Sequence, residues 1–446
     1  MRGQSGWTAA VVAAGMLAFA GLAEARTFKV TRANDPVPGD CRLNDCSLRE
    51  AVLAANARVG PDRIVVPGTR REYRLTRPGT GEDAAQNGDL DLNGDGVTVV
   101  HRGKGRATIS ARGLGERIFE SDVPTTLRKL VLTHGNATGV EDSGGAIEAK
   151  ESITISSSIL RQNRADKFGG AVYHNIGTMR ILGSKLIGNT ALDEAGAIEA
   201  SGARAVIKRS TIRGNRALGA QAGAMYAATE VVIAQSTFAG NRSQLNGGAI
   251  EVNSGEVTIA GSTFTGNRAV EQDGGAIRSF GTLGVVNSTF WKNRAGNSGG
   301  AIYNGATASL NAVTVARNVS NADQMVGGAG GGLNSGGGPF NVANSLIARN
   351  DQRDGDANDC AGLFASGGGN LRTNGVDCAG FDQPGDAIRA NSKIGRLARN
   401  GGPTMTVALK KGSPAIGRGR PSSPARDQRG RRRGSNPDSG AYERLP

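Results

Sequence analysis

An Asn recurs through the middle of the chain at positions 163, 189, 215, 241, 267, 293 and 318, at steps of 26, 26, 26, 26, 26 and 25 residues. Gly-Gly-Ala-Ile or a close variant keeps time with it, its small-residue triplet ending at Ala146, Ala171, Ala197, Ala224, Ala249, Ala276 and Ala301. A fixed period of this length marks a repeat architecture in which each unit packs on its neighbours. The intervening segments are short and β-type (Ile153-Thr154-Ile155, Val231-Val232-Ile233, Val257-Thr258-Ile259) and lack the apolar rhythm of paired helices. The expected fold is all-β: a parallel β-helix whose coils stack about 4.8 Å apart. The 69 Gly and only 4% aromatic content suit many tightly turned strands rather than one bulky core. Without a three-residue period that Gly content excludes collagen, and 38% apolar residues is too many for a disordered chain.

Stacking turns each repeated position into a ladder. Leu160, Leu186, Ile212, Phe238, Phe264 and Phe290 form an apolar row expected to be core. The Asn row is expected to be a stack of buried turn amides bonding to the coils above and below. Ser158, Ser184, Ser210, Ser236, Ser262 and Ser288 repeat in the same register and are also expected to be structural. The open end of such a helix needs a cover. Ser47-Leu48-Arg49-Glu50 fits a capping box, with Leu48, Ala51, Val52 and Ala55 on one face of a short N-terminal capping helix.

The N-terminus carries Arg2, an apolar run from Ala9 to Ala20 and Ala23-Glu24-Ala25, which together read as a secretory signal cleaved after Ala25. No apolar stretch reaches the ~18 to 20 residues that span a bilayer, so no transmembrane segment is expected after signal removal. In an exported chain the four cysteines pair naturally as two local disulfides, Cys41–Cys46 and Cys360–Cys378; with only three His in all, the spacing does not suit a zinc site.

Three sets of residues carry a resemblance. Cys46-Ser47-Leu48-Arg49-Glu50-Ala51 spells the hexapeptide of the CSLREA domain, an N-terminal module of exported bacterial β-helix proteins. The Phe-x-x-Asn and Gly-Gly-Ala-Ile tetrapeptides resemble those of chlamydial polymorphic outer-membrane proteins, a surface adhesin family. The last hundred residues are similar to the choice-of-anchor Q domain, through Asn358-Asp359-Cys360, Gly369-Asn370-Leu371, Leu397 to Thr404, Gly412 to Ile416, Asp427-Gln428-Arg429-Gly430 and Gly440-Ala441-Tyr442-Glu443. Gly417 stands where that domain usually carries Asp. The resemblance implies a signal over 1–25, a CSLREA cap over 26–60, right-handed pectin-lyase-like repeats over 61–350 and a choice-of-anchor Q-like region with a basic tail over 351–446. It implies export to the exterior or surface of a bacterium and no particular reaction.

Candidate sites follow from the periodicity. The residue after each Gly-Gly-Ala-Ile-type motif points away from the core: Glu148, Tyr173, Glu199, Tyr226, Glu251, Arg278 and Tyr303. Tyr faces stack on sugar rings and carboxylates bond hydroxyls, which makes this row a candidate glycan surface; the alternative is a solvated face in which Glu251 pairs with Arg278. Glu148, Glu199 and Glu251 fall two coils apart, roughly 9.6 Å, at the outer limit for an inverting pair of carboxylates and with a Tyr between each.

Arg164, Arg216, Arg242, Arg268 and Arg294 each follow a ladder Asn, four of them on consecutive coils, which suits an acidic polymer such as polyuronate or lipopolysaccharide; the alternative is splaying into solvent. Glu141 and Asp142, Asp166, and Asp193 and Glu194 gather in turns of three adjacent coils. Asp142, Asp166 and Asp193 are candidate Ca²⁺ ligands, with Lys167 or Arg164 as the base of a lyase. Asp89-Leu90-Asp91-Leu92-Asn93-Gly94-Asp95-Gly96 resembles the start of a calcium loop, but the twelfth residue from Asp91 is Arg102, so a tight turn is expected. His101, His134 and His174 are isolated. From Lys410 onward 10 basic residues face 3 acidic ones within a net charge of +14, which reads as a solvated tail.

The expectation is an exported, monomeric, adhesin-like β-helix that binds glycan or anionic polymer without catalysis or cofactor, and with no nucleic-acid partner. The alternative is a Ca²⁺-assisted polysaccharide lyase or glycoside hydrolase.

Overall fold

The computed structural model describes residues 25–69, 71–79, 81–139, 142–322, 327–353, 358–375, 377–389 and 391–445; Glu141 and, but for Ala25, the residues expected to form a signal lie outside them. The chain is a parallel β-helix. A typical coil has four strands, here numbered first to fourth: Ile147–Ala149, Ile153–Ser156, Ile159–Arg161 and Arg164–Ala165. Stacked, they form parallel sheets of 12, 13, 13 and 9 strands. The coils begin at Thr27–Lys29, which pairs with Asp62–Val65, and continue to Ala387–Ile388, so the solenoid exceeds the expected 61–350 at both ends.

The apolar row falls inside as expected, with Leu160, Leu186, Ile212, Phe238, Phe264 and Phe290 all buried. Phe238, Phe264 and Phe290 stack with ring centroids 4.9 and 4.8 Å apart and planes 8° and 6° from parallel, which is the strand spacing itself.

The Asn ladder is continuous from Asn163 to Asn350. Each Oδ1 accepts from the backbone N–H and the Nδ2 of the Asn one coil earlier, at 2.9–3.1 Å for the Asn189 to Asn241 links. Each Nδ2 also donates to a main-chain carbonyl of the preceding coil, as Asn241 does to Ile212 at 3.1 Å. Asp359 ends the ladder, accepting from the N–H and Nδ2 of Asn350 at 3.0 Å. The Ser ladder works more simply: each Oγ accepts the preceding Ser N–H at 3.1–3.2 Å and donates to the carbonyl two residues before it.

The second Gly of each Gly-Gly-Ala-Ile motif is dictated by crowding. A Cβ at Gly170 would lie 2.4 Å from the Gly196 carbonyl oxygen and 2.5 Å from that of Thr190, closer than carbon tolerates.

The N-terminal cap is a helix over Leu48–Asn56 with both halves of the capping box formed. Its hexapeptide is now physically legible. Arg49 is buried, paired with Asp35 at 2.8 Å, and donates to the carbonyls of Ala85, Asn87, Gly88 and Asp89. Glu50 closes the box and accepts from Arg32 and the Gly39 N–H. Both expected disulfides are present, Cys41–Cys46 and Cys360–Cys378.

The solvated tail expected from Lys410 onward is not found. Ile394–Ala398 and Thr406–Leu409 form an antiparallel hairpin, and with Ala415 and Tyr442 they pack on Trp291, Ala316, Leu346, Ala348 and Leu371 at the outer face of the third sheet. Gln428 accepts from Thr289 Oγ1 at 2.6 Å and donates to Thr263, Thr404 and Met405. Two ion pairs close within this segment, Arg429 with Asp427 at 2.7 Å and Arg433 with Glu443 at 3.2 Å, all four residues buried. The excess of cations misled the sequence reading because composition does not reveal which charges are paired.

Replacing Asn241 by Ala strands the N–H and Nδ2 of Asn215 and the Ile212 carbonyl, at a cost of about 1–3 kcal/mol per buried group. The expected result is a destabilisation on the order of 3 kcal/mol or more, read from the urea midpoint. A shift below about 1 kcal/mol would mean that water replaces the amide.

Candidate functional site

The outward position of the first sheet forms one uninterrupted row. In register order it reads Asp91, Glu120, Glu148, Tyr173, Glu199, Tyr226, Glu251, Arg278, Tyr303 and Asn334. Sequence periodicity finds Glu148 through Tyr303. It misses Asp91 and Glu120 because those early coils lack the Gly-Gly-Ala-Ile marker. The alternations Leu90-Asp91-Leu92 and Phe119-Glu120-Ser121 are the signal that remained. The tight turn expected over Asp89–Gly96 is confined to its second half: Leu90–Leu92 is a strand, the bend falls at Gly94 and Asp95, and Val97–Val100 is the next strand.

The first three positions put carboxylates on adjacent coils, and Arg117 bridges the second and third of them, Glu120 and Glu148. Its guanidinium is buried and pairs with Asp89 at 3.7 Å, Glu120 at 2.5 Å, Asp142 at 3.2 Å and Glu148 at 2.9 Å. Lys150 pairs with Glu120 and with Asp122. Burial first, then the neighbouring Asp91 charge, pushes Asp89 up to about 8 against the pull of Arg117. Burial likewise raises Asp91 to about 6 and Glu116 to about 7. Asp83, Asp91 and Glu120 offer one oxygen each within 4.8 Å of one another.

That triad, rather than Asp142, Asp166 and Asp193, is the grouping within reach of one cation among the described residues. Asp142 belongs to the Arg117 network, Asp166 pairs with Arg164 at 3.1 Å, and Glu194 accepts from Gln221 on the next coil. The Lys167 ammonium lies over the Phe168 ring at 5.4 Å. The candidate residues of the alternative, lyase reading therefore do not converge on one cation.

Farther along, the row is aromatic and partly exposed at Tyr173, Tyr226 and Tyr303. Phe168 stacks beside Tyr173 with centroids 6.4 Å apart, and Phe280 lies 6.2 Å from Tyr303. Glu199 and Glu251 differ from the open carboxylates expected, being only 5% and 1% exposed between their larger neighbours. Glu199 accepts from Ser201 Oγ at 2.8 Å, and burial pushes it up to about 8. Glu251 pairs with Arg278 at 2.7 Å and stands at about 7, burial outweighing that guanidinium. The Arg278 guanidinium also lies 4.1 Å from the Phe280 ring. Burial, together with Glu194, Glu199 and Glu251, raises Tyr226 to about 12, so its hydroxyl remains a donor at neutral pH.

Arg216, Arg242, Arg268 and Arg294 stack in register on the fourth sheet; Thr190 separates them from Arg164. His101 bonds the carbonyls of Val66 and Lys104, and His134 lies beside Arg112 and Thr133. His174 is buried in the wall.

No protein-family model matches the chain, and no curated protein matches it either.

The neutral Glu199 carboxyl sets a pH dependence. An acid whose folded value is raised from 4.5 to about 8 holds its proton only in the folded state between those values, so its stabilising effect is full below about 4.5 and is lost as pH rises through 8. Glu199→Gln is expected to match the parent at pH 4.5 and to exceed it by roughly 4 to 5 kcal/mol at pH 9. Parallel melting profiles across that range would refute the shift.

Proposed function

We propose that this protein is an exported, non-catalytic β-helix that binds an extracellular or cell-surface glycan along the first-sheet row. The observation that carries the reading is Tyr173, Tyr226 and Tyr303, partly exposed and in register with carboxyl-bearing side chains on one face. Aromatic faces spaced along a rigid axis match a sugar polymer, which presents ring faces at intervals, while the carboxyls sheltered between them pack against the tyrosines. The C-terminal segment occupies the third sheet and leaves this row accessible. Both cysteine pairs are oxidised, which suits the compartment that export would reach.

A second reading, Ca²⁺-assisted cleavage of a polysaccharide, draws on the triad of Asp83, Asp91 and Glu120. Three carboxylates fit half of a calcium shell, whose remaining oxygens would come from solvent or substrate. The obstacle is the base. Arg117 is buried among four carboxylates, and Lys150 is held by two, so neither is free to take a proton from a substrate carbon.

The mature chain, incubated with neutral and acidic glycans with and without Ca²⁺, is followed for retention, reducing ends and unsaturated product together. The expected outcome is retention without turnover, weakened roughly 10- to 100-fold in the Tyr173→Ala, Tyr226→Ala, Tyr303→Ala triple variant. Product that disappears with chelator and in Asp91→Asn would overturn the binding reading in favour of cleavage. Neither retention nor product would leave only a spacer.

A further inference from the structure

The corner between the third and fourth strands places one left-handed residue on each coil, immediately before the ladder Asn. At Gly188, Gly214, Gly240 and Gly266 this residue has φ between +61° and +64° and opens onto empty space. On the next three coils the same strained corner holds Lys292, Arg317 and Arg349, at φ of +54°, +58° and +58°. Side chains are disfavoured there; Gln162 holds the corner of an earlier coil at φ +55°, and these three coils differ in that each carries a cation.

Those cations join the Arg stack of the fourth sheet. Arg268, Lys292, Arg294, Arg317, Arg349 and Asp351 line one cleft of about 550 Å³. A second cleft, of about 430 Å³, lies on the same corner and includes Arg161 and Arg216. Arg242 stands between them in register. From Arg216 to Arg349 the strip crosses six coils, roughly 24 Å at strand spacing. At the head of the column Arg164 is neutralised by Asp166. Farther on, among the described residues, Arg216, Arg242, Lys292, Arg294, Arg317 and Arg349 are exposed and none has a carboxylate within ion-pair distance. Like charges held at strand spacing repel unless a counter-charge runs beside them.

We infer that this strip is a binding groove for a linear, carboxylate-bearing polysaccharide lying along the solenoid axis. It is separate from the first-sheet row and stands whether or not that row binds sugar. Guanidinium forks match carboxylates in two-point geometry, and Arg outnumbers Lys in the strip. A single-stranded nucleic acid is the poorer fit: the nearby Trp291 is buried beneath the C-terminal segment with Arg317 5.5 Å from its ring, so among the described residues the strip offers no open aromatic platform for bases.

The test uses the full mature chain with polygalacturonate, its fully methyl-esterified neutral form, dextran sulfate and single-stranded DNA, titrated at several salt concentrations. The inference expects tightest binding to polygalacturonate, none to the neutral ester, and an affinity that falls as salt rises. Lys292→Gly with Arg317→Gly separates function from folding, because Gly relieves the corner strain. That variant should bind at least tenfold more weakly with a shallower salt dependence, while its thermal midpoint is unchanged or raised. Arg180→Gln, an exposed cation on the second sheet, should bind as the parent does. Equal affinity for the neutral ester, tighter binding of DNA or dextran sulfate, or undiminished binding by the double Gly variant would each overturn the inference.

Discussion

A solenoid coil must turn its corners with backbone groups that no strand partner reaches, and those groups face the interior. One buried amide per coil meets that demand here. It accepts from the main chain and side chain of the coil before it and donates to a carbonyl there, so each Asn joins two coils through three hydrogen bonds. A side chain of this length with both donor and acceptor can do so, and every rung from Asn163 to Asn350 is Asn until Asp359 closes the ladder by accepting alone. The 26-residue period, the stacked Phe rings and the crowded Gly of each motif follow from holding that corner fixed.

Fixing the corner also fixes what points outward. Side chains one period apart are held at strand spacing, so a single choice of residue type becomes a linear array. The first-sheet row and the corner cations are two such arrays on different faces of one rod. The arrays differ in how they manage charge. In the row, carboxyls are buried among tyrosines and guanidiniums, and their affinities for protons rise in consequence. Along the corner, the cations are left in solvent.

The ends and the third sheet are closed by segments outside the repeat. At the N-terminus a buried Arg49 gathers four carbonyls of one loop, tying the capping helix to the coil beneath it. At the C-terminus the Asp427-Gln428-Arg429-Gly430 and Gly440-Ala441-Tyr442-Glu443 segments pack back along the coils through Gln428, Thr289 and Thr314. The basic residues there looked like a tail because acidic residues are few in the segment and the apolar contacts that hold it down are made to distant coils. Arg433 meets Glu443, and Arg429 meets Asp427, only once the segment folds on the third sheet.

The sequence by itself determined the coil: period, inward rows, Asn and Ser ladders, capping helix and disulfide pairs all follow from spacing, because a stacked repeat converts sequence distance directly into position. What it could not determine was which outward side chains become covered and which distant charges meet. Asp91 and Glu120 joined the first-sheet row through coils of irregular length, Glu199 and Glu251 were sheltered by larger neighbours, and Arg117 drew in four carboxylates from three coils. Lys292, Arg317 and Arg349 gained meaning only beside the Arg stack. Burial and electrostatic pairing depend on every neighbour at once, and only the tertiary structure brings those neighbours together.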